Sequence, residues 1–424
     1  MEAQDIKLLK PLLKKFLKRF RSCLRKPALF RHLYTYLTGQ MSNLPRKSIE
    51  PIAQAAGVPA RTLQEFLSLL KWDEQKILRR IQARIAQEHA GELSLGLIDD
   101  TGHPKKGIKT PGVARQWCDR LGKIENCVVT VHLGYLTADF HCLLDGELYL
   151  PREWTDDRER CRKAGIPDDK IFQTKWQIAL DLIDWAKTNG LHFDWLTFDE
   201  DYGKTKEFLF DLDDQNQCYV AEVPGSFAGT LHPPSRTAWH PKYLRNLLAH
   251  SPTFLRQPWK TYHIKDSDKG PVIWKAKHTF LYLRRGPRLL IRHLILAQNV
   301  LTPVERKYFI SNAPLDTPLE TLLAVGFARN GVEQCLEEEK SELGFSHFEV
   351  RNYRSLKRHL VLTELSELFL AETQHGKWGK KGVPYRLPSP NRGGRPHPVL
   401  LGHRSQKAFI PETQRHDSPE YSKT

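Results

Sequence analysis

The sequence predicts an α/β fold with a helical region ahead of it, a β-rich insertion within it and a basic tail behind it. Three observations carry that prediction. Apolar residues recur at three-and-four spacing over 6–24, and 49–70 reads as two short helices around a turn. Beyond position 93, short apolar strand-like runs alternate with helical patterns, the arrangement of an α/β core. Between 211 and 304 the pattern turns mostly β, and a helical block returns at 318–371. A chain of 424 residues, 40% of them hydrophobic, is long enough for two or three domains and a sizeable core. The expected boundaries are 1–90 for the helical region, 91–210 with 305–371 for the α/β core, 211–304 for the insertion and 372–424 for the tail.

Over 6–24 the apolar set is Ile6, Leu8, Leu9, Leu12, Leu13, Phe16, Leu17, Phe20 and Leu24, with lysines and arginines on the other face. Such a helix packs on a neighbour, touches a DNA backbone or lies on a membrane surface, and periodicity does not choose among these. The stretch 49–70 reads IEPIAQAAGVPARTLQEFLSLL: a short helix, a turn at Gly57-Val58-Pro59, then a second helix from Ala60. Ala53 is small where two helices cross, Gly57 permits the turn, and Val58, Leu63 and Phe66 close a small core. The pattern fits a helix-turn-helix whose second helix enters a major groove, with Arg61, Thr62 and Gln64 as base readers. Plain helical packing fits it equally. Strands are expected at 93–99, 128–136, 141–150 and 193–199, and a helix at 175–187. From Thr373 onward Gly, Pro, Lys, Arg and Ser dominate, with too little apolar content to fold alone.

Lys and Arg number 65 against 49 Asp and Glu, a formal net charge of +16. A surplus of that size calls for a polyanionic partner, either nucleic acid or an anionic membrane face. The seven cysteines include no C-x-x-C pair and are odd in number. That pattern argues against a zinc knuckle or a disulfide framework and for a reducing, cytoplasmic setting. No apolar run approaches the roughly 18 residues of a membrane span, and the N-terminus lacks the apolar centre of a secretory signal.

Cutting a phosphodiester without a protein nucleophile requires an activated water and a stabilised leaving oxygen, and two metal ions about 4 Å apart supply both. Magnesium takes oxygen ligands, so such a site gathers carboxylates from separate segments. In LSLGLIDDTGHPKKG an apolar strand runs into Asp99, and in FDWLTFDEDYGK another runs into Asp199. A strand-ending Asp alone also feeds an ordinary turn. Two of them in a basic chain, with a matching helix, point to a site. That helix is expected at 324–343, with Gly344 as its stop. At roughly 100° per residue from Arg329, Glu333 falls at roughly 40° and Lys340 at roughly 20°, beside an apolar strip of Ala328, Val332, Leu336 and Leu343. A charged stripe bordering the buried face suits a helix at the edge of an active site, whereas a solvated charge run points away from the core. Glu339 falls inside the apolar strip, which amphipathicity does not explain.

The passages IDDTGHPKKG, VARQWCDRLGKIENC, LYLPREWTDDRERCRKAGIP, FQTKWQIAL, FDEDYGK and VEQCLEEEKSELGFSHFEVRNYRSLKRH span 97–359. They resemble the DDE transposases of bacterial insertion sequences. The resemblance implies an RNase H-like catalytic core with a β-rich insertion between its second and third acids. It implies that Asp99, Asp199 and Glu333 hold two Mg2+ ions, for which Mn2+ substitutes. Its partners would be double-stranded DNA, as element ends and target, and a second copy of the chain in a homodimer. In the hairpin-forming branch a Tyr–Arg–Glu–Lys signature surrounds the third acid. Arg329, Glu333 and Lys340 match its spacing, while Gly326 stands at the Tyr position and Asn330 at that of the usual Trp. By resemblance, hydrolysis at the element's end exposes a 3′-hydroxyl that attacks the target strand, and Lys105, Lys106, Arg329 and Lys340 contact phosphates. The family's DNA-distorting aromatic lies in the insertion, where Trp239, Trp259 and Trp274 are the candidates.

Asp99 and Asp100 cannot point the same way on an extended strand. The resemblance chooses Asp99, because the family's first acid is followed two residues later by Thr, here Thr101. Asp100 is left to form a turn or to accept a bond from Lys105 or Lys106. Three other readings stay open at this stage. One is a catalytically inactive, domesticated DNA-binding protein derived from a transposase, favoured by Gly326 and Asn330. The others are a nuclease that cuts without joining and a membrane-associated protein.

Overall fold

Ten strands join one sheet in the computed structural model, which describes residues 3–88, 93–233, 239–267 and 270–378. The strands are β1 Leu95–Pro104, β2 Ala114–Cys118, β3 Lys123–Leu136, β4 His141–Leu148, β5 Trp195–Phe198, β6 Tyr219–Val223, β7 Lys260–Ser267, β8 Gly270–Arg285, β9 Arg288–Asn299 and β10 Arg306–Ser311. Their order is β2-β3-β1-β5-β6-β10-β9-β8-β7, with β4 pairing β3 as well. Parallel β1, β5 and β6 form the centre, and antiparallel strands flank them. The mixed α/β class is the expected one.

The helices used below are α1 Ala3–Lys18, α2 Pro27–Gln40, α3 Ile49–Ala55, α4 Ala60–Ser68, α5 Glu74–Glu88, α6 Lys175–Thr188, α7 Glu200–Gly203, α8 Lys206–Asp214, α9 Leu319–Phe327, α10 Asn330–Glu338 and α11 Tyr353–Trp378. They bury the central strands on both faces. Leu95 and Leu97 share one apolar cluster with Val332 and Leu336 of α10, whereas Ile98 shares the other with Ile178 and Ile183 of α6. Burial on two faces explains why these strands read as continuous apolar runs rather than alternating ones.

Four local features depart from the expectations. β1 does not stop at Asp99 but runs on to Pro104, because residues 99–104 keep pairing with β3. Its polar end is buried with partners in place: His103 hydrogen-bonds Thr130 and Ser346, both at 2.9 Å. The expected helix 324–343 is interrupted at Ala328–Arg329, and beyond Glu338 it widens into a π-helical turn, Glu339–Leu343, which Gly344 ends at φ 72°. Position 211 marks no break in the sheet, since α8 and β6 belong to the centre and β7–β9 extend the same sheet through β10. Finally, α11 continues past 372 to Trp378; the rest of the expected tail, 379–424, lies outside the described residues.

The N-terminal helices have no core of their own. Phe16 and Phe20 of α1 are buried, and Phe16 lies 5.3 Å from Phe369 of α11. The apolar face of α1 therefore packs on a neighbour. α3 and α4 pack together across a turn where Gly57 takes φ 65°, and Ala53, Leu63 and Phe66 are all buried. Among the described residues no helix is long and apolar enough to cross a membrane.

Candidate active site

Register brings the two aspartates together. β1 and β5 run parallel, with Leu95 opposite Trp195 and Ile98 opposite Phe198. Asp99 and Asp199 are therefore the next residues on two neighbouring strands, whose spacing is about 4.8 Å. Past Phe198 the chain turns into α7, and Asp199 caps it: its Oδ1 accepts from the amides of Asp201 at 3.0 Å and Tyr202 at 3.4 Å. Asp99 remains in extended strand, on the face that packs against α10 through Leu97 and Gly331.

Arg329 joins the helix to the strands. Its Nη1 donates to Asp99 Oδ2 at 3.3 Å and lies 2.8 Å from Glu333 Oε1, one helical turn on. Its Nε lies 4.0 Å from Glu222 Oε2, and Glu222 in turn binds Lys307 Nζ at 2.7 and 2.9 Å. Arg329 is only 13% exposed, whereas Glu333 is 49% exposed. The site is thus a half-buried floor of Asp99, Glu222 and Arg329 with Glu333 at its open edge.

Asp100 faces the other way, as strand alternation requires. Lys175 Nζ donates to its Oδ2 at 2.7 Å and the Tyr202 hydroxyl to its Oδ1 at 3.4 Å. Lys175 is the first residue of α6, fixed there by a capping box between Thr174 and Gln177. This corrects the expectation that Lys105 or Lys106 would serve Asp100.

The balance of charge in the site is negative. Asp99, Asp100, Asp199, Glu222 and Glu333 stand against Arg329, Lys175 and Lys307, five anions to three cations and −2 when all are ionised. Burial raises the Asp99 pKa well above the usual carboxylate range; Asp199, Asp100 and Glu333 push it the same way, and Arg329 only partly opposes them. Burial, with Asp100 and Asp201, raises Asp199 to about 6. Such a pocket attracts a cation, and its all-oxygen donor set suits a hard divalent one. Among the described residues no group of three or more His, Cys, Asp or Glu side chains is gathered around one point as a finished metal cage. Arg329 lies between Asp99 and Glu333 instead.

Other expected residues fall elsewhere. Lys105 does not face a phosphate path: its Nζ donates to the carbonyls of Ser346 at 3.1 Å and Phe348 at 2.8 Å and sits 3.4 Å from the Phe348 ring centre. Burial lowers it to about 7. Lys106 is exposed. Lys340, on the π turn, approaches Asp119 at 3.8 Å rather than the three acids. Arg61 and Gln64 are exposed on α4 and Thr62 is half-buried, with Arg61 paired to Glu65 at 2.7 Å. Gly326 is buried, and a Cβ there would meet Val220 at 3.1 Å and Phe309 at 3.2 Å, so this position presents no ring to DNA. Of the aromatic candidates, Trp274 is buried against Phe327 at 4.8 Å, whereas Trp259 lies within about 5 Å of the Lys275 and Lys277 ammonium groups.

Sequence reasoning missed Glu222, Lys307 and Lys175. A glutamate inside the apolar run CYVAEV was the available signal for the first, and Lys175 stood unread inside FQTKWQIAL.

Comparison with known proteins bears on this geometry. Residues 19–277 match the family described as DDE superfamily endonuclease. That span holds Asp99, Asp199 and Glu222 and ends before Arg329 and Glu333. A protein of Microchaete diplosiphon described as a probable transposase for insertion sequence element IS701 is 28% identical over 332 residues, covering 77% of this chain and 78% of that protein.

Proposed function

Because this chain belongs to the DDE superfamily of endonucleases, we propose that it is an insertion-sequence transposase that cuts the ends of a mobile DNA element and joins their 3′-hydroxyls to target DNA. One observation carries the reading: parallel register sets Asp99 beside Asp199 while Arg329 ties Asp99 to Glu333. Three carboxylates from two strands and a helix thereby border one negatively charged floor.

Asp99, Asp199 and Glu333 would hold divalent cations, Mg2+ with Mn2+ as a substitute, which supply Lewis acidity toward the attacking and leaving oxygens. The chain's own groups do the positioning. Lys175 and Tyr202 hold Asp100 on the far face, so that Asp99 alone of the pair meets the floor. Lys307 fixes Glu222 beneath Arg329. The Arg329 guanidinium is a fixed positive fork, suited to a phosphate oxygen as charge builds there. Lys106 and the exposed face of α4, with Arg61 and Gln64, are the remaining proposed DNA contacts. Duplex DNA, a homodimer upon it and a cytoplasmic, nucleoid-associated setting complete the proposal. From the Tyr–Arg–Glu–Lys signature only Arg329 and Glu333 are carried over.

The test uses a labelled duplex spanning one element end, with Mg2+ added, and then pre-cut ends offered a target plasmid. Asp199→Asn and Glu333→Gln should bind the duplex like the wild type yet neither cut nor join. A wild type that cuts but never joins pre-cut ends would be a nuclease only. Either variant cutting at the wild-type rate would remove that carboxylate from the site.

A further inference from the structure

Next to this site stands a hairpin with one face built in and the other left bare. β2 and β3 pair so that Trp117 lies opposite Ile124, with Arg115 on the same face of β2. Trp117 is 55% exposed and Ile124 59%. Leu121, in the connecting turn, is exposed too. Large apolar side chains scattered singly over a surface need no explanation, but a contiguous set rimmed by charge marks a contact site.

The opposite face shows that the hairpin is firmly seated. Cys118 is fully buried, and the Gln116 amide donates to the Cys127 carbonyl at 3.0 Å. Asp119 accepts from the Gly102 amide and from the Thr101 hydroxyl at 3.2 Å, and Lys340 lies 3.8 Å away. A Cβ at Gly102 would come within 2.8 Å of the Cys118 sulfur, so β1 and the hairpin meet with no room for a side chain. The turn is therefore tied to β1 two and three residues past Asp99, and to the helical segment seven residues past Glu333.

Charge identifies the occupant. Arg115 stands on the same face as the apolar pair and Arg120 in the exposed turn beside it, while exposed Lys123, opposite Cys118, sits at the strand start on the other face; cations therefore border the pair along β2 and at the turn. Two acids stand nearby: Glu125 makes long ion pairs at 3.8 and 3.5 Å with Arg115 and Lys123, and Asp119 is turned to the Gly102 amide and the Thr101 hydroxyl. A second copy of this chain, itself strongly cationic, is a poor match for such a rim. Strand readers address either groove of a duplex, and it is the minor groove whose binders combine apolar side chains set against base steps with Arg and Lys beside them.

We propose that residues 114–126 are a minor-groove clamp for duplex DNA beside the cut site. Trp117 and Ile124 bear on the groove floor, and Arg115 and Arg120 bear on its phosphate walls. This rests on the transposase reading above and adds where the flanking duplex is gripped.

The experiment uses the full chain and the labelled end duplex, with affinity measured across a salt series. Trp117→Ala should weaken binding about 5- to 100-fold, by analogy with the loss of a base-contacting aromatic, and Trp117→Phe should restore most of it. The exposed pair Arg115→Ala/Arg120→Ala should lower the log–log salt slope by about 1.8. Methylation of adenine N3, which lies in the minor groove, should block wild-type binding but matter less to Trp117→Ala; guanine N7 methylation should not separate the two. If the wild type binds and cuts while Trp117→Ala and the double variant match it in affinity and slope, the clamp is wrong and the transposase reading stands. A Trp117→Ala change that alters only the sedimentation of DNA-free protein would make the face a self-association surface and overturn the clamp. A wild type that binds no end duplex defeats both readings together.

Discussion

Glu339 shows most clearly what single residues contribute. The helical wheel places it in an apolar strip, and the structure buries it fully, beside Glu364 and Glu367 of α11. Neither oxygen of Glu339 or Glu364 has a hydrogen-bond partner in the described structure. An ionised carboxylate left so would be prohibitive, so burial and mutual repulsion drive these groups to hold their protons. A protonated Glu is close to an isostere of Gln, which is how it occupies an apolar strip. For Glu367, burial raises the pKa from 4.5 to about 8. A raised folded value means that the stabilising contribution is complete below the unfolded pKa, near 4.5, and is lost progressively until pH passes about 8. Glu367→Gln should therefore gain on the wild type in melting temperature as pH rises from 5 to 8, while still able to accept the Leu143 amide bond. A constant difference between the two proteins over that range would mean that Glu367 is ionised in the fold. Nothing in the sequence reveals this cluster, because its members come from segments 25 and 28 residues apart whose facing depends on how α11 packs.

At the scale of elements, long apolar runs and amphipathic repeats were legible and their ends were not. The strands near 128–136 and 141–150 and the helix near 175–187 form where periodicity puts them. β1 overshoots because the polar run DTGHP gains its partners from distant segments, Thr130 and Ser346. The α3–α4 pair was legible as two helices around Gly57, but not its seat against α11. That seat depends on Arg358, which donates to the carbonyls of Phe66 at 3.2 Å and of Leu67 and Leu70 at 3.0 Å, satisfying groups that a helix end leaves open. It also donates to Glu74 at 3.2 Å and lies over the Trp72 ring. Removing it strands several buried acceptors, so Arg358→Ala should lower stability by about 2–4 kcal/mol in denaturant unfolding. A loss under about 0.5 kcal/mol, the range of ordinary surface changes, would show that water serves those carbonyls equally well. If α4 reads the element ends, the same variant should lose sequence preference before it loses non-specific binding.

Across the whole molecule, a cationic chain encloses an anionic floor. The formal charge of +16 draws a polyanion to the surface, while five carboxylates face three cations at the centre of the sheet. Of this arrangement Asp99 and Asp199 were readable as acids closing apolar strands, and Glu333 as the charged edge of a helix. The juxtaposition of Asp99 and Asp199 required the parallel β1–β5 register, which no local pattern encodes. Glu222 and Lys307 enter from β6 and β10, whose pairing is equally non-local. Asp99, rather than Asp100, belongs to the proposed metal-binding set with Asp199 and Glu333. The most direct test is to measure DNA binding and end cleavage in the same samples for Asp99→Asn and Asp100→Asn, with Mg2+ and again with Mn2+. Asp99→Asn should bind normally and not cut, whereas Asp100→Asn, which alters only an outer partner of Lys175 and Tyr202, should still cut at a rate reduced about 10- to 100-fold. Cleavage by Asp99→Asn with an inactive Asp100→Asn would contradict the choice of Asp99.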